Sequence, residues 1–317
     1  LDKSVLKART MINMDSEDEG VATVSCAGGL RVQFTKEIQR TTVQGSLLTL
    51  KVEGLLGGHS GQDIDKERQN ADLLMARMIQ RLLKETKGQL VSFNGGTKDN
   101  AIPRECEASL IYESDEEAAK AEELACELAE TYAEELTPAE PDFSCEISCE
   151  TNRTAEAIPQ DAAKEFICAM RLAPNGIQKR NIKMDGFVVV SLNLGVVRTE
   201  EDRIVMIFSP RSSVASLQED TKERLNTLAE TFGFTVSHSS EYPGWSFKED
   251  SPVREICKES YKELFGEDLK IEAIHAGLEC GLFSDAIKGL DAIAIGPTIA
   301  NCHTPDEYLT LDSFERF

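Results

Sequence analysis

Positive charge is in short supply in this chain. It has 34 lysines and arginines against 56 aspartates and glutamates, a formal net charge of −22 over 317 residues. That balance argues against nucleic acid or an anionic membrane as partner, because both are densely negative. No apolar run approaches the roughly 18 residues of a membrane-crossing helix, and no basic segment precedes a short apolar one as in a secretory signal. The nine cysteines show no Cys-x-x-Cys spacing, and their odd number leaves one unpaired. A reducing cytoplasm is therefore the expected setting. Cys145 and Cys149, four apart in a strand-like stretch, do not have the spacing of a zinc knuckle. Histidine is rarest of these, with four in the chain. Three of them, His59, His275 and His303, stand within two residues of glycine or proline, a setting that suits ligands and proton donors.

The length is ample for two domains. Strand patterns at 21–26, 31–34 and 47–52 lead to a predicted helix over 65–87, with Ala71, Leu74, Met75, Met78, Ile79, Leu82 and Leu83 on one face. Strands at 89–93 and 105–112 follow. Ser114 with Glu117 then forms a capping-box signature for a helix to about Leu136. A strand at 143–148, a helix at 159–172, an antiparallel pair at 187–197 and 204–208 and a helix at 214–232 complete a block with the pattern of an α+β layer domain, residues 30–240. The last block alternates helix and strand, with Ser251 as N-cap and Gly266 as stop of a helix at 252–265, strands at 269–274 and 292–295, and a short helix at 282–287. Residues 1–29 are expected to join residues 241–317 in a mostly parallel sheet, which makes the middle block an insertion in an α/β protein. The chain opens Leu1-Asp2-Lys3-Ser4 without an initiator methionine and closes on a helix-like pattern, so it is expected to be a piece of a larger protein.

Several short stretches carry chemistry. In Ile295-Gly296-Pro297-Thr298-Ile299-Ala300-Asn301-Cys302-His303-Thr304-Pro305, a histidine between two proline-stiffened turns follows a buried-looking strand, at the carboxyl edge where open α/β sheets place their sites. Asp15, after the strand-like Ile12 to Met14, would emerge at a similar edge, where Asp and His together could bind a divalent cation; an acidic surface turn is the alternative. Gly57-Gly58-His59-Ser60-Gly61 lets backbone approach a ligand and leaves the imidazole exposed on a loop, although a histidine with no task would look the same. Asn94 to Glu105 reads as a hairpin-like turn able to present Asn100, or simply as turn chemistry. His275 and Glu279 flank a strand-to-helix turn, where a buried histidine or a ligand-binding turn would both fit. Arg211, following a strand, could clamp a carboxylate bidentately or make a surface salt bridge.

Taken in order, these motifs resemble one family, the aminoacyl-histidine dipeptidases of the carnosinase-like, di-zinc aminoacylase and carboxypeptidase superfamily. The resemblance rests on residues 13–20, Cys26-Ala27-Gly28-Gly29, Gly57 to Gly61, Phe93 to Thr97 with Asn100 to Glu105, Tyr242-Pro243-Gly244-Trp245, His275 to Phe283, and Ile295 to Ile299 with His303. It runs nearly end to end. It implies a zinc-exopeptidase-like catalytic domain, partial here, interrupted by an α+β lid or dimerisation domain. It further implies two zinc ions, with Asp15 ligating one and His303 the other. His59 would polarise the scissile carbonyl and stabilise the oxyanion. Asn100 and Arg211 would hold the substrate's carboxylate end, and Glu279 and His275 would line the pocket. The substrate implied is a small dipeptide with C-terminal histidine, the compartment cytosolic, and the partner a second copy joined through the inserted domain.

The chain departs from that pattern in one respect. None of its four histidines begins a His-x-Asp motif, and its Glu-Glu pairs at 116–117, 122–123, 134–135 and 200–201 lie in charged helices or turns. The general base and the remaining metal ligands are therefore expected outside this chain, which alone would be inactive. A non-catalytic dimerisation or peptide-binding module, and an exopeptidase or deacylase of the same superfamily with another substrate, are the rival readings.

Overall fold

The computed structural model describes residues 6–182, 186–302 and 305–317. His303, one of the two expected metal ligands, lies outside the described residues.

Two sheets organise the chain. The smaller contains β1 (Thr10–Asn13), β2 (Val21–Cys26), and two strands from the far end of the sequence. The larger is antiparallel and is built from β3 (Gly28–Glu37), β4 (Thr41–Glu53), β6 (Gln89–Gly95), β8 (Cys106–Tyr112), β9 (Ser144–Ala157), β10 (Gly176–Arg180), β11 (Val188–Thr199), β12 (Arg203–Ser212) and β13 (Thr235–Tyr242). Two-residue strands β5 (Gly58–His59) and β7 (Ala101–Ile102) pair beside it. The far-end strands β14 (Lys270–Ile274) and β15 (Asp291–Ala294) run parallel to β2 and β1 respectively, and β15 meets β2 antiparallel. The small sheet thus reads β1-β15-β2-β14.

The sheets are joined at a tight crossing. A single residue, Ala27, separates β2 from β3, so Gly28 and Gly29 already belong to the second strand. The chain returns from the end of β13 through Pro243 and Gly244 to Trp245, which bridges Cys26. A β-carbon on Gly28 would lie 2.4 Å from the Gly244 nitrogen, and one on Gly244 would lie 2.6 Å from the Ser212 carbonyl. Only side-chain-free residues allow these three backbones to pack so closely.

Helices α1 (Ala71–Glu85), α2 (Asp115–Leu136), α3 (Gln160–Leu172) and α4 (Ala215–Thr231) supply the main core with the large sheet. The apolar stripe of α1 is buried as its spacing requires, with Met75, Met78, Ile79 and Leu82 at zero exposure. The helix begins six residues later than the sequence pattern suggests. Asn70 caps it, its side chain accepting from the Asp72 and Leu73 amides, while Ile64–Lys66 form a separate 3-10 turn. Ser114 caps α2 as expected, but the other half of the capping box is not made, because Glu117 accepts from the Lys87 amide instead. The strand at 143–148 extends to Ala157 as β9, and β10 and β13 lie in stretches read as loop; all three carry few buried side chains. Over the small sheet lie α5 (Pro252–Phe265) and α6 (Glu279–Ala286), followed by α7 (Leu311–Arg316). Ser251 caps α5 and donates to Asp291, whose other carboxylate oxygen accepts from the Val253 amide. The helix start is thereby tied to the first residue of β15.

Candidate active site

Parallel strands β1 and β15 end side by side, Asn13 opposite Ala294. The loops that follow stay together. The Ser16 amide donates to the Ile295 carbonyl, the Ile299 amide donates to the Glu17 carbonyl, and Gly296 sits so close that a β-carbon there would lie 1.8 Å from the Ser16 carbonyl oxygen. Asp15 is exposed in the first of these loops. The second leads through Cys302 toward residue 303. Asn13 donates to Glu279 at 3.4 Å, which places Glu279, exposed in the first turn of α6, at the same sheet edge. Among the described residues no three His, Cys, Asp or Glu side chains stand close enough to hold a metal ion. The described donors do not by themselves make a closed ligand set.

A second cluster faces the first across the turn from His275 to Glu279. His59 is half-buried in β5, not exposed on a loop as its glycine-rich setting suggests, because pairing of His59 with Ala101 draws it against the large sheet. Its backbone amide donates to Asp63, and its Nδ1 accepts from the amides of Gly61 at 3.3 Å and Gln62 at 3.0 Å. Burial first, and then the Arg211 guanidinium, lower its pKa from the ordinary 6.5. A neutral imidazole whose Nδ1 accepts carries its proton on Nε2, so His59 presents a hydrogen-bond donor. Asn100, exposed at the adjoining turn, is tied to the same loop by its carbonyl, which accepts from the Ser60 amide. The two loops meet His275 at Gly61, where a β-carbon would lie 2.3 Å from the His275 carbonyl and 3.1 Å from the His59 ring.

His275 is buried, its Nε2 2.7 Å from the Ser191 hydroxyl. Burial, reinforced by Arg211, pushes its pKa down to about 3, so it is neutral at physiological pH. Arg211 lies within β12, not after a strand, and opposite Ser191 on β11. It is buried at 7% exposure, which overturns the surface salt-bridge alternative. Its Nη1 donates to the Tyr242 hydroxyl at 2.9 Å while its Nε has no hydrogen-bond partner among the described residues. Among the described residues no carboxylate stands within salt-bridge distance of Arg211. A buried guanidinium surrounded by two neutral histidines and a phenol is an uncompensated charge, costly unless an anion comes to it.

The structure therefore draws His59, Asn100, His275 and Arg211 together, and sets Asp15 with Glu279 on the other side of one turn. Sequence reasoning assigned no role to Ser191 or Tyr242. Tyr242 could have been noticed from its place before Pro243-Gly244; nothing in the sequence around Ser191 points to His275, 84 residues away.

The sequence profile of the family described as peptidase family M20/M25/M40 matches residues 42–317. The chain belongs to that family. Within the peptidase M20/M25/M40 family, the cytosol non-specific dipeptidase of Escherichia coli (strain K12) is 34% identical over 314 residues, covering 97% of this chain and 64% of the relative. The solved structure of aminoacylhistidine dipeptidase from Vibrio alginolyticus matches 99% of this chain and 64% of its own length, with a TM-score of 0.93 at 34% identity. The mixed α/β fold is that of an M20 peptidase. This M20 chain thus spans a little under two thirds of each relative. Membership of a metallopeptidase family implies a metal cofactor.

Proposed function

We propose that the protein to which this chain belongs is a metal-dependent dipeptidase that hydrolyses small dipeptides, with a preference for C-terminal histidine. The observation that carries this reading is the buried Arg211 with no carboxylate partner among the described residues, beside His59 with its Nε2 proton available. A guanidinium in that setting binds a dipeptide's terminal carboxylate strongly, since the ligand supplies the missing charge. Asn100 assists it. His59 donates from Nε2 to the scissile carbonyl oxygen, where negative charge grows in the transition state. Being neutral, it needs no proton uptake to do so. His275 and Glu279 line the pocket from the turn between the two clusters.

Zinc is the proposed metal, two ions per site, with Asp15 and His303 as the ligands this chain supplies. The meeting of the β1 and β15 loops supports Asp15 in that role. The division into residues 1–29 and 241–317 as catalytic domain and 30–240 as an inserted lid or dimerisation domain is supported by the two sheets. A homodimer through the inserted domain is part of the same proposal. So is a cytoplasmic location, in keeping with the name of the Escherichia coli relative and with nine free cysteines. Among the described residues, no helix is long and apolar enough to cross a membrane.

That relative's name, non-specific dipeptidase, favours a second reading in which histidine is not preferred. The full-length, zinc-loaded protein should be assayed on carnosine-type dipeptides, on dipeptides ending in other residues, and on N-acyl amino acids. Cleavage of the first with the highest kcat/KM is expected; equal rates on all dipeptides select the second reading. Activity on acyl amino acids alone refutes both.

A further inference from the structure

Three neighbouring strands place Arg211, Gly29 and Tyr242 in one row: Arg211 on β12 is opposite Gly29 on β3, and Gly29 is opposite Tyr242 on β13. A register shift between Ser239 and Tyr242 delivers the tyrosine to that position. Because Gly29 has no side chain, the Tyr242 ring leans across it. A β-carbon at Gly29 would lie 2.7 Å from the tyrosine hydroxyl. The hydroxyl thereby reaches over a whole strand to accept from Arg211 at 2.9 Å. The other edge of the same ring meets the small sheet's turn, where a β-carbon at Gly277 would lie 2.9 Å from Cε2. One side chain, seated between a glycine of the large sheet and a glycine of the turn after β14, therefore touches both halves of the candidate site.

We propose that Tyr242 is a positioning residue, which aims the Arg211 guanidinium at the substrate carboxylate and fixes its distance from the turn that carries His275 and Glu279. This rests on the reading of Arg211 as the carboxylate clamp. The phenol oxygen occupies one guanidinium N–H and leaves Nε, which has no partner among the described residues, with the remaining donors of the fork for the ligand. Among the described residues the Tyr242 hydroxyl is the one acceptor hydrogen-bonded to the Arg211 guanidinium, so it sets the orientation of the fork. Loss of the hydroxyl frees the fork to turn, and the cost appears only with a ligand that uses it. Tyr242 touches no reacting atom, so its effect belongs to binding.

The test uses the full-length, metal-loaded enzyme with Tyr242→Phe, which keeps the ring against both glycines, and with Arg211→Lys. Substrates are a dipeptide and its C-terminal amide, which lacks the carboxylate. Removing one hydrogen bond to a charged group should raise KM for the acid roughly 3- to 10-fold and change kcat by less than about twofold. KM for the amide should not move. In the Arg211→Lys background the tyrosine change should add less than about twofold, the two residues acting as one unit. An unchanged KM for the acid, an equal rise for the amide, or full additivity with Arg211→Lys overturns the proposal. If the wild-type enzyme and Arg211→Lys both treat acid and amide alike, the carboxylate-clamp reading itself fails, an outcome separable from any result with Tyr242→Phe.

Discussion

Replacing Asp72 by asparagine should flatten the protein's stability against pH between about 4 and 8. Asp72 lies in the first turn of α1 with no exposure, and neither carboxyl oxygen has a hydrogen-bond partner among the described residues. It is pressed onto Gly95, where a β-carbon would lie 1.7 Å from Oδ1 and 2.9 Å from the Cys106 sulfur. Burial pushes its pKa up to about 8 from an ordinary 3.8, against the lowering influence of the Cys106 thiol and the Arg198 charge. Below pH 3.8 the carboxyl is protonated in both folded and unfolded chains. Above it the unfolded chain releases a proton that the fold retains, so stability falls as pH rises until the folded carboxyl ionises near 8. Each pH unit in that window costs about 1.4 kcal/mol, or roughly 6 kcal/mol across it. Asparagine fills nearly the same space and does not titrate. Urea unfolding of both proteins at pH 5, 6, 7 and 8 gives the comparison, because every other titrating group cancels in the difference. The wild type should lose stability relative to the variant by about 1.4 kcal/mol per pH unit. Parallel curves would mean that Asp72 is ionised in the fold, with Arg198 outweighing desolvation, and would refute the reasoning.

Gly296→Ala should separate the loops after β1 and β15, since its β-carbon would lie 1.8 Å from the Ser16 carbonyl oxygen. In the full-length enzyme, metal content by atomic absorption should fall while the far-ultraviolet circular dichroism is kept; undiminished metal would show that the Asp15 loop does not depend on this contact. Glu140→Ala should destabilise the large-sheet domain by about 1–3 kcal/mol, because the buried carboxylate accepts from the Leu56 and Gln69 amides and both would be left without a partner. Thermal unfolding measures this, and a Tm equal to the wild type would mean that water replaces the carboxylate.

Where a segment buries one face, its periodicity was legible in the sequence. The α1 stripe from Ala71 to Leu82, the Ala118, Ala121 and Ala125 face of α2, the caps Ser114 and Ser251 and the stop Gly266 lie where local chemistry put them. Strands β10 and β13 and most of β9 were not legible, because their side chains are largely exposed or half-exposed and carry no clean alternation. They are strands because neighbours offer backbone partners: β13 lies along β3, and β9 along β4 from Thr41 to Glu53. The site divides in the same way. Glycine- and proline-flanked settings marked His59 and His275 as candidates and a strand end marked Asp15, but they could not say that His59 would be half-buried or that Arg211 would be enclosed within a strand.

By itself the sequence determined which side chains could do chemistry, and the ordered motifs fixed the family resemblance, because glycines, prolines and scarce histidines act through local backbone constraints. Tertiary structure alone decided which of them act together. Ser191 meets His275 and Tyr242 reaches Arg211 only because strands distant in sequence are laid side by side. The neutral state of both histidines is likewise a product of the fold, since desolvation and a neighbouring guanidinium exist only once β11, β12 and the turn after β14 are packed against one another.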